Sequence, residues 1–167
     1  MAILATILNK STRKLLDPMI FYADDDADDL EFFQEIAADL DVEVMTFDNG
    51  LALIENLKRR PANPDFVFLD INMPLYNGLQ ILEMIRAEKL WDHIPVFMFT
   101  TSTMIEHIEK SMSSGATFYI PKSSDYNLFK ESVRFAIEKD WNGFLPQKNT
   151  FVFKDSSMFG IPGCFSA

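Results

Sequence analysis

Cysteine is nearly absent: Cys164 is the only one in 167 residues, so no internal disulfide can form, which fits a reducing compartment. Positive charge is scarce as well. Fifteen Lys and Arg stand against 25 Asp and Glu, and the net charge of −10 argues against nucleic acid or an anionic membrane as partner. No apolar run approaches the ~20 residues of a membrane span. The opening stretch Ala2 to Leu8 is apolar, but its basic residues follow it, the reverse of a secretory signal. Internal repeats and low-complexity linkers are missing too. Histidine occurs only as His93 and His107, which read as a loop residue and a helix-surface residue. What these absences leave is a cytoplasmic protein about one domain long, 48% hydrophobic and able to bury one sizeable core.

The acids are unevenly placed. Residues 1–18 carry a net +2 and residues 147–167 a net +1, so the middle of the chain holds −13. Five of those acids fall between Asp24 and Asp29. Around them two kinds of segment alternate. Met19 to Ala23, Asp65 to Leu69, Ile94 to Phe99 and Thr117 to Ile120 are short apolar runs without helical spacing, the pattern of strands buried on both faces of a parallel sheet. Val42 to Phe47 mixes in Glu43 and Thr46 and precedes an Asp48-Asn49-Gly50 turn, so it reads as an exposed edge strand.

Between the strands, apolar residues recur at three-to-four spacing. Leu30, Phe33, Ile36, Ala37 and Leu40 make one stripe; Leu79, Leu82 and Ile85 another; Met104, Ile105, Ile108 and Met112 a third, closed by Gly115. Leu128 or Phe129 with Val133, Ala136 and Ile137 make a fourth, with Ser124 or Asp125 as N-cap, and Leu51 to Arg59 fills the remaining gap. The expectation is a doubly wound (βα)5 sheet over residues 19–141, flanked by an extension at 1–18 and a tail at 142–167.

In an open parallel α/β sheet, ligands gather at the carboxyl ends of the strands. Those ends carry Asp24-Asp25-Asp26, Asp70, Thr100-Thr101-Ser102 and Lys122. Adjacent carboxylates repel unless a cation neutralises them, and oxygen-only ligation favours a hard ion, Mg²⁺ above all. A carboxylate can also attack phosphorus to give an acyl phosphate, whose charge an ammonium and a hydroxyl would hold.

At this point the chain resembles the receiver domains of bacterial two-component response regulators. Phe21-Tyr22-Ala23-Asp24-Asp25-Asp26 is similar to that family's acidic first strand end. Phe66 to Asp70, followed by Ile71-Asn72-Met73-Pro74 and Gly78, is similar to its phosphoacceptor strand and loop. Pro95 to Thr100, and Gly115 to Lys122, resemble its fourth and fifth strands, and the match covers about residues 19–141. The resemblance implies a flavodoxin-like fold with strand order 2-1-3-4-5. It implies phosphorylation of Asp70 by a histidine kinase or histidine phosphotransfer protein. Asp25, Asp70 and the Asn72 carbonyl would bind Mg²⁺, and Asp24 would act through water. Thr100 and Lys122 would hold the phosphoryl group, and Thr100 and Tyr119 would form the switch pair.

Some positions depart from that pattern. Thr101 stands where a smaller residue is usual, Ser123 replaces a proline after Lys122, and Ala27 replaces a frequent proline. An aspartate-nucleophile phosphatase would need an acid two residues after Asp70, where Asn72 stands. A flavin-binding domain would want a phosphate loop where this chain has carboxylates. A phosphorylation-independent pseudo-receiver is the remaining alternative. Asp28 and Asp29 read as acids of a helix's first turn. Output is expected through protein contact, with a downstream target or a second copy. Phe151-Val152-Phe153 reads as a short strand able to join an open sheet edge, the edge beside Val42 to Phe47 being one candidate.

Overall fold

The structure is a computed structural model that describes residues 18–59 and 64–154. The N-terminal extension before Pro18 and the part of the tail after Lys154, with Cys164, lie outside the described residues. The elements run β1 (Met19–Ala23), α1 (Ala27–Asp39), β2 (Glu43–Phe47), α2 (Gly50–Arg59), β3 (Phe66–Leu69), α3 (Gly78–Ala87), a 3₁₀ turn (Lys89–Trp91), β4 (Val96–Thr100), α4 (Ile105–Ser113), β5 (Phe118–Pro121) and α5 (Tyr126–Glu138). All strands pair in parallel, in the order β2-β1-β3-β4-β5. No described helix is long and apolar enough to cross a membrane.

Each central strand is buried on both faces because helices cover both. Alternate residues of β1 divide between two cores: Phe21 and Ala23 face α2 and α3, while Ile20 and Tyr22 face α1 and α5. The first core takes Leu53, Ile54 and Leu57 of α2 and Ile81, Leu82 and Ile85 of α3. The second is largely aromatic. Phe33 of α1 stacks on Tyr22 at 4.4 Å and meets Phe68, Phe99 and Phe129 edge-on at 5.1, 5.7 and 6.0 Å.

Local signals set the helix ends. Asp26 caps α1, its carboxylate accepting from the Asp28 and Asp29 amides. Asn77 and Gln80 form a reciprocal capping box on α3, and Asp125 caps α5. Gly115, at φ +88°, turns the chain out of α4 in the left-handed region that favours glycine.

After α5 the chain doubles back. The Trp141 indole donates to the Ala136 carbonyl at 2.7 Å, and Trp141 and Phe144 pack on Phe118, with the Lys139 ammonium 5.4 Å above each of the two rings. Further on, Phe151 to Phe153 pairs with β5 in parallel, through a bridge at Tyr119 and Val152. The tail strand therefore joins an open sheet edge, the one opposite the candidate beside β2. The reason lies in β5, whose outer edge offers the Tyr119 N–H and C=O and whose flanks offer apolar seats for Phe151 and Phe153.

Replacing the Phe33 ring removes contacts to four aromatic neighbours at once. Phe33→Ala should cost about 3–5 kcal/mol of stability, read from urea unfolding, with the m-value unchanged.

Candidate functional site

Three loops converge where the sheet's strand order reverses, between β1 and β3. β1 delivers Asp24 and Asp25, β3 delivers Asp70, and the chain after β5 delivers Lys122. Asp24 and Asp70 are buried, Asp25 is exposed, and one carboxylate oxygen from each lies within 4.8 Å of the others. Into this group reaches the Lys122 ammonium, whose side chain is 5% exposed. It pairs with Asp24, with Asp29 at 2.7 Å and with Asp70 Oδ1 at 3.2 Å.

Asp24 is fully engaged. One oxygen takes the Lys122 ammonium and the Tyr22 hydroxyl, and the other accepts from the Asp26 amide at 3.1 Å. Burial pushes the Asp24 carboxyl above its ordinary range, and Lys122 only partly offsets this. For Lys122, burial pulls downward, but Asp70 and Asp24 outweigh it and hold the ammonium up. Burial, then the neighbouring Asp24 charge, lifts the Tyr22 phenol well above its usual value, so it stays a donor.

Asp70 also accepts from the Asn72 amide at 2.6 Å, which orients the carboxylate toward the loop. Three carboxylates, those of Asp24, Asp29 and Asp70, thus pair with a single ammonium, and Asp25 adds a further one beside Asp24 and Asp70. A divalent ion with oxygen preference fits this donor set, since it would balance charge that Lys122 alone leaves uncompensated.

The remaining expected residues lie on β4 and β5, toward the same carboxyl edge of the sheet. Thr100 is fully buried at the end of β4, its hydroxyl oxygen accepting from the Ser102 amide at 3.3 Å. Tyr119 is fully buried rather than a surface aromatic, and its hydroxyl donates to the Ser102 carbonyl at 2.8 Å. Burial pushes the Tyr119 phenol up to about 12. Thr101 is exposed. The described residues contain no cis peptide bond, so the Lys122–Ser123 bond is trans.

Three residues make contacts beyond those their sequence context suggested. Asp29 is a partner of Lys122 and not simply a solvated acid of the first helical turn. It lies in the first turn of α1, four residues after Asp25, and that closeness to the strand end was the available signal. Tyr22 lies two residues before Asp24 on the same side of β1, and a buried phenol requires a partner. His107, read as a helix-surface residue, reaches the Ser102 hydroxyl with Nδ1 at 2.7 Å.

The sequence pattern of the response regulator receiver domain matches residues 20–134. The chain belongs to that family. Receiver domains are signalling modules of two-component systems, and phosphorylation on an aspartate is general among them. This receiver is 34% identical over 92 residues to chemotaxis protein CheY-3 of Vibrio cholerae, a stretch covering 55% of this chain and 69% of that protein. It is 30% identical over 78 residues to chemotaxis protein CheY of Pseudomonas aeruginosa, covering 47% and 63% of the two chains.

Among solved structures, the phosphorylated cyanobacterial phytochrome response regulator RcpA matches with a TM-score of 0.67 at 25% identity, over 78% of this receiver and 99% of that chain. The Mn²⁺-bound form of response regulator Rcp1 matches with a TM-score of 0.67 at 23% identity, over the same shares, and bears on the fold alone.

Gly78 opens α3 directly against the site, for a steric reason. A Cβ there would stand 2.0 Å from the Asp70 carbonyl oxygen, a backbone atom that cannot swing away. Gly78→Ala should therefore destabilise the receiver by about 1–3 kcal/mol and shift the amide resonances of Asp70 and Ile71, measured by chemical unfolding and NMR.

Proposed function

We infer that Asp70 is the phosphoacceptor of this receiver and that its donor is the phosphohistidine of a histidine kinase or histidine phosphotransfer protein. The observation that carries this is a buried carboxylate at a strand end, 3.2 Å from a buried ammonium and gathered with two further carboxylates. An Asp70 carboxylate oxygen attacks phosphorus in line with the P–N bond. As the P–O bond forms, the P–N electron pair returns to the imidazole, which takes up a proton.

Lys122 is already beside Asp70 and follows the charge onto the phosphoryl oxygens. The Thr100 hydroxyl turns its proton toward one of them. Mg²⁺ would be held by Asp25, Asp70 and the Asn72 carbonyl, with Asp24 acting through water, and would neutralise charge on the transferring group.

The same residues suggest how phosphorylation leaves the site. A Thr100 hydroxyl engaged with the phosphoryl group changes its relation to the Ser102 amide, and Ser102 carries the Tyr119 hydroxyl on its carbonyl. The face formed by α4 and β5 is therefore the output surface, read by a protein partner. Catalysis by the receiver itself is confined to phosphotransfer and slow self-dephosphorylation.

Acetyl phosphate with Mg²⁺ should add the mass of one phosphoryl group to the wild type and none to Asp70→Asn, whose fold is retained. Full labelling of Asp70→Asn would overturn the assignment, steady phosphate release would favour a phosphatase, and an unlabelled wild type a pseudo-receiver.

Millimolar Mg²⁺ should raise the melting temperature, by about 1.4 kcal/mol of stability at ten times its dissociation constant. Asp25→Ala should lose most of that gain, because Asp25 is the exposed member of the carboxylate group and contributes least to the apo fold. An unchanged melt of the wild type would count against the metal.

A further inference from the structure

The tail strand does more than cover apolar surface. It grips one residue, Tyr119, by the backbone on both sides: the Tyr119 amide donates to the Phe151 carbonyl at 2.9 Å, and the Phe153 amide donates to the Tyr119 carbonyl at 2.8 Å. Phe151 is fully buried beside the Tyr119 ring, centroids 6.3 Å apart, while Phe153 packs on Phe135 of α5 at 5.4 Å. Ahead of the strand, Lys148 pairs with Glu109 of α4 at 2.8 Å. The segment thus spans α4, β5 and α5 and is anchored on each.

Tyr119 in turn reaches the phosphoryl end of the sheet. Its hydroxyl donates to the Ser102 carbonyl, and the Ser102 amide donates to Thr100 Oγ1. Three consecutive contacts therefore join Phe151 to the Thr100 hydroxyl at the end of β4: Phe151 to Tyr119, Tyr119 to Ser102 and Ser102 to Thr100, the last two half-buried.

We propose that the strand Phe151–Phe153 is a positioning element of the phosphoacceptor site, holding Tyr119 so that the Ser102 carbonyl and the Thr100 hydroxyl are fixed before a phosphoryl group arrives. This rests on Asp70 being the phosphoacceptor. With the strand removed, the outer N–H and C=O of Tyr119 turn to solvent, the ring loses its packing partner, and the loop after β4 loses its anchor. Binding of a phosphoryl group must then also supply the ordering of that loop, which weakens it. Coupling is reciprocal, so a group bound at Asp70 must tighten the strand by the same factor.

The test uses beryllofluoride with Mg²⁺ as a phosphoryl mimic, titrated by fluorine NMR into four proteins. These are the full chain, the chain truncated after Pro146, Phe153→Pro, which lacks one clasping donor, and Leu57→Ala, which weakens the core far from the tail. The truncated chain and Phe153→Pro should bind about fivefold or more weakly, the lower end of ordinary coupling between sites. Leu57→Ala should bind as the wild type does despite its lower melting temperature. Amide exchange at Tyr119 should be faster in both tail variants and should slow in the full chain when beryllofluoride binds.

Tail variants that expose the Tyr119 amide yet keep wild-type affinity would overturn the positioning role and leave the phosphoacceptor reading standing. A wild type that takes up no beryllofluoride would overturn both. Weakening in Leu57→Ala equal to that in the tail variants would reduce the effect to global stability and overturn the proposal.

Discussion

Asp24, Asp29 and Asp70 come from β1, α1 and the end of β3, and all three close on the ammonium of Lys122. Removing several carboxylates from water is costly, and one cation repays only part of that cost. The arrangement persists because four elements are held together elsewhere, by two cores whose side chains are buried on both faces of the sheet. Packing stability is what permits an electrostatically tense crevice. That tension has a direction: whatever brings positive charge relaxes it, and whatever draws Lys122 away raises it.

The acids of the first loop divide their work according to where each sits. Asp24 ends a buried strand and meets Lys122 and Tyr22. Asp25 points to solvent, Asp26 caps α1, and Asp29 reaches back one helical turn later. A single run of carboxylates thus supplies an ion pair, the exposed member of the carboxylate group and a helix cap. The side chains differ only in their position along a strand-to-helix transition.

Most of the sheet was readable because its causes are local. Apolar runs such as Val67 to Leu69 have no helical spacing, and the residue closing each run falls at the carboxyl edge by geometry alone. Asp24, Asp25, Asp70, Thr100 and Lys122 could be gathered that way without knowing a single contact. The tail's edge could not, because Phe151 and Tyr119 are 32 residues apart and either open edge would accept an extended segment on local grounds. Asp29 does stand in the first turn of α1, as read, and its second partner, Lys122, comes from the far end of the sheet, 93 residues on.

The clasp at Tyr119 has a further effect on the sheet as a whole. Alternation along β5 directs the main chain of Tyr119 and Pro121 outward; the tail occupies the first, and the second has no N–H to offer. Among the described residues, that border of the sheet is closed to recruitment. The β2 border, with exposed Glu43 and Met45, has no such cover among the described residues. A sheet with one receptive border can pair once with another of its kind and then stop, whereas runaway stacking into a fibre needs two.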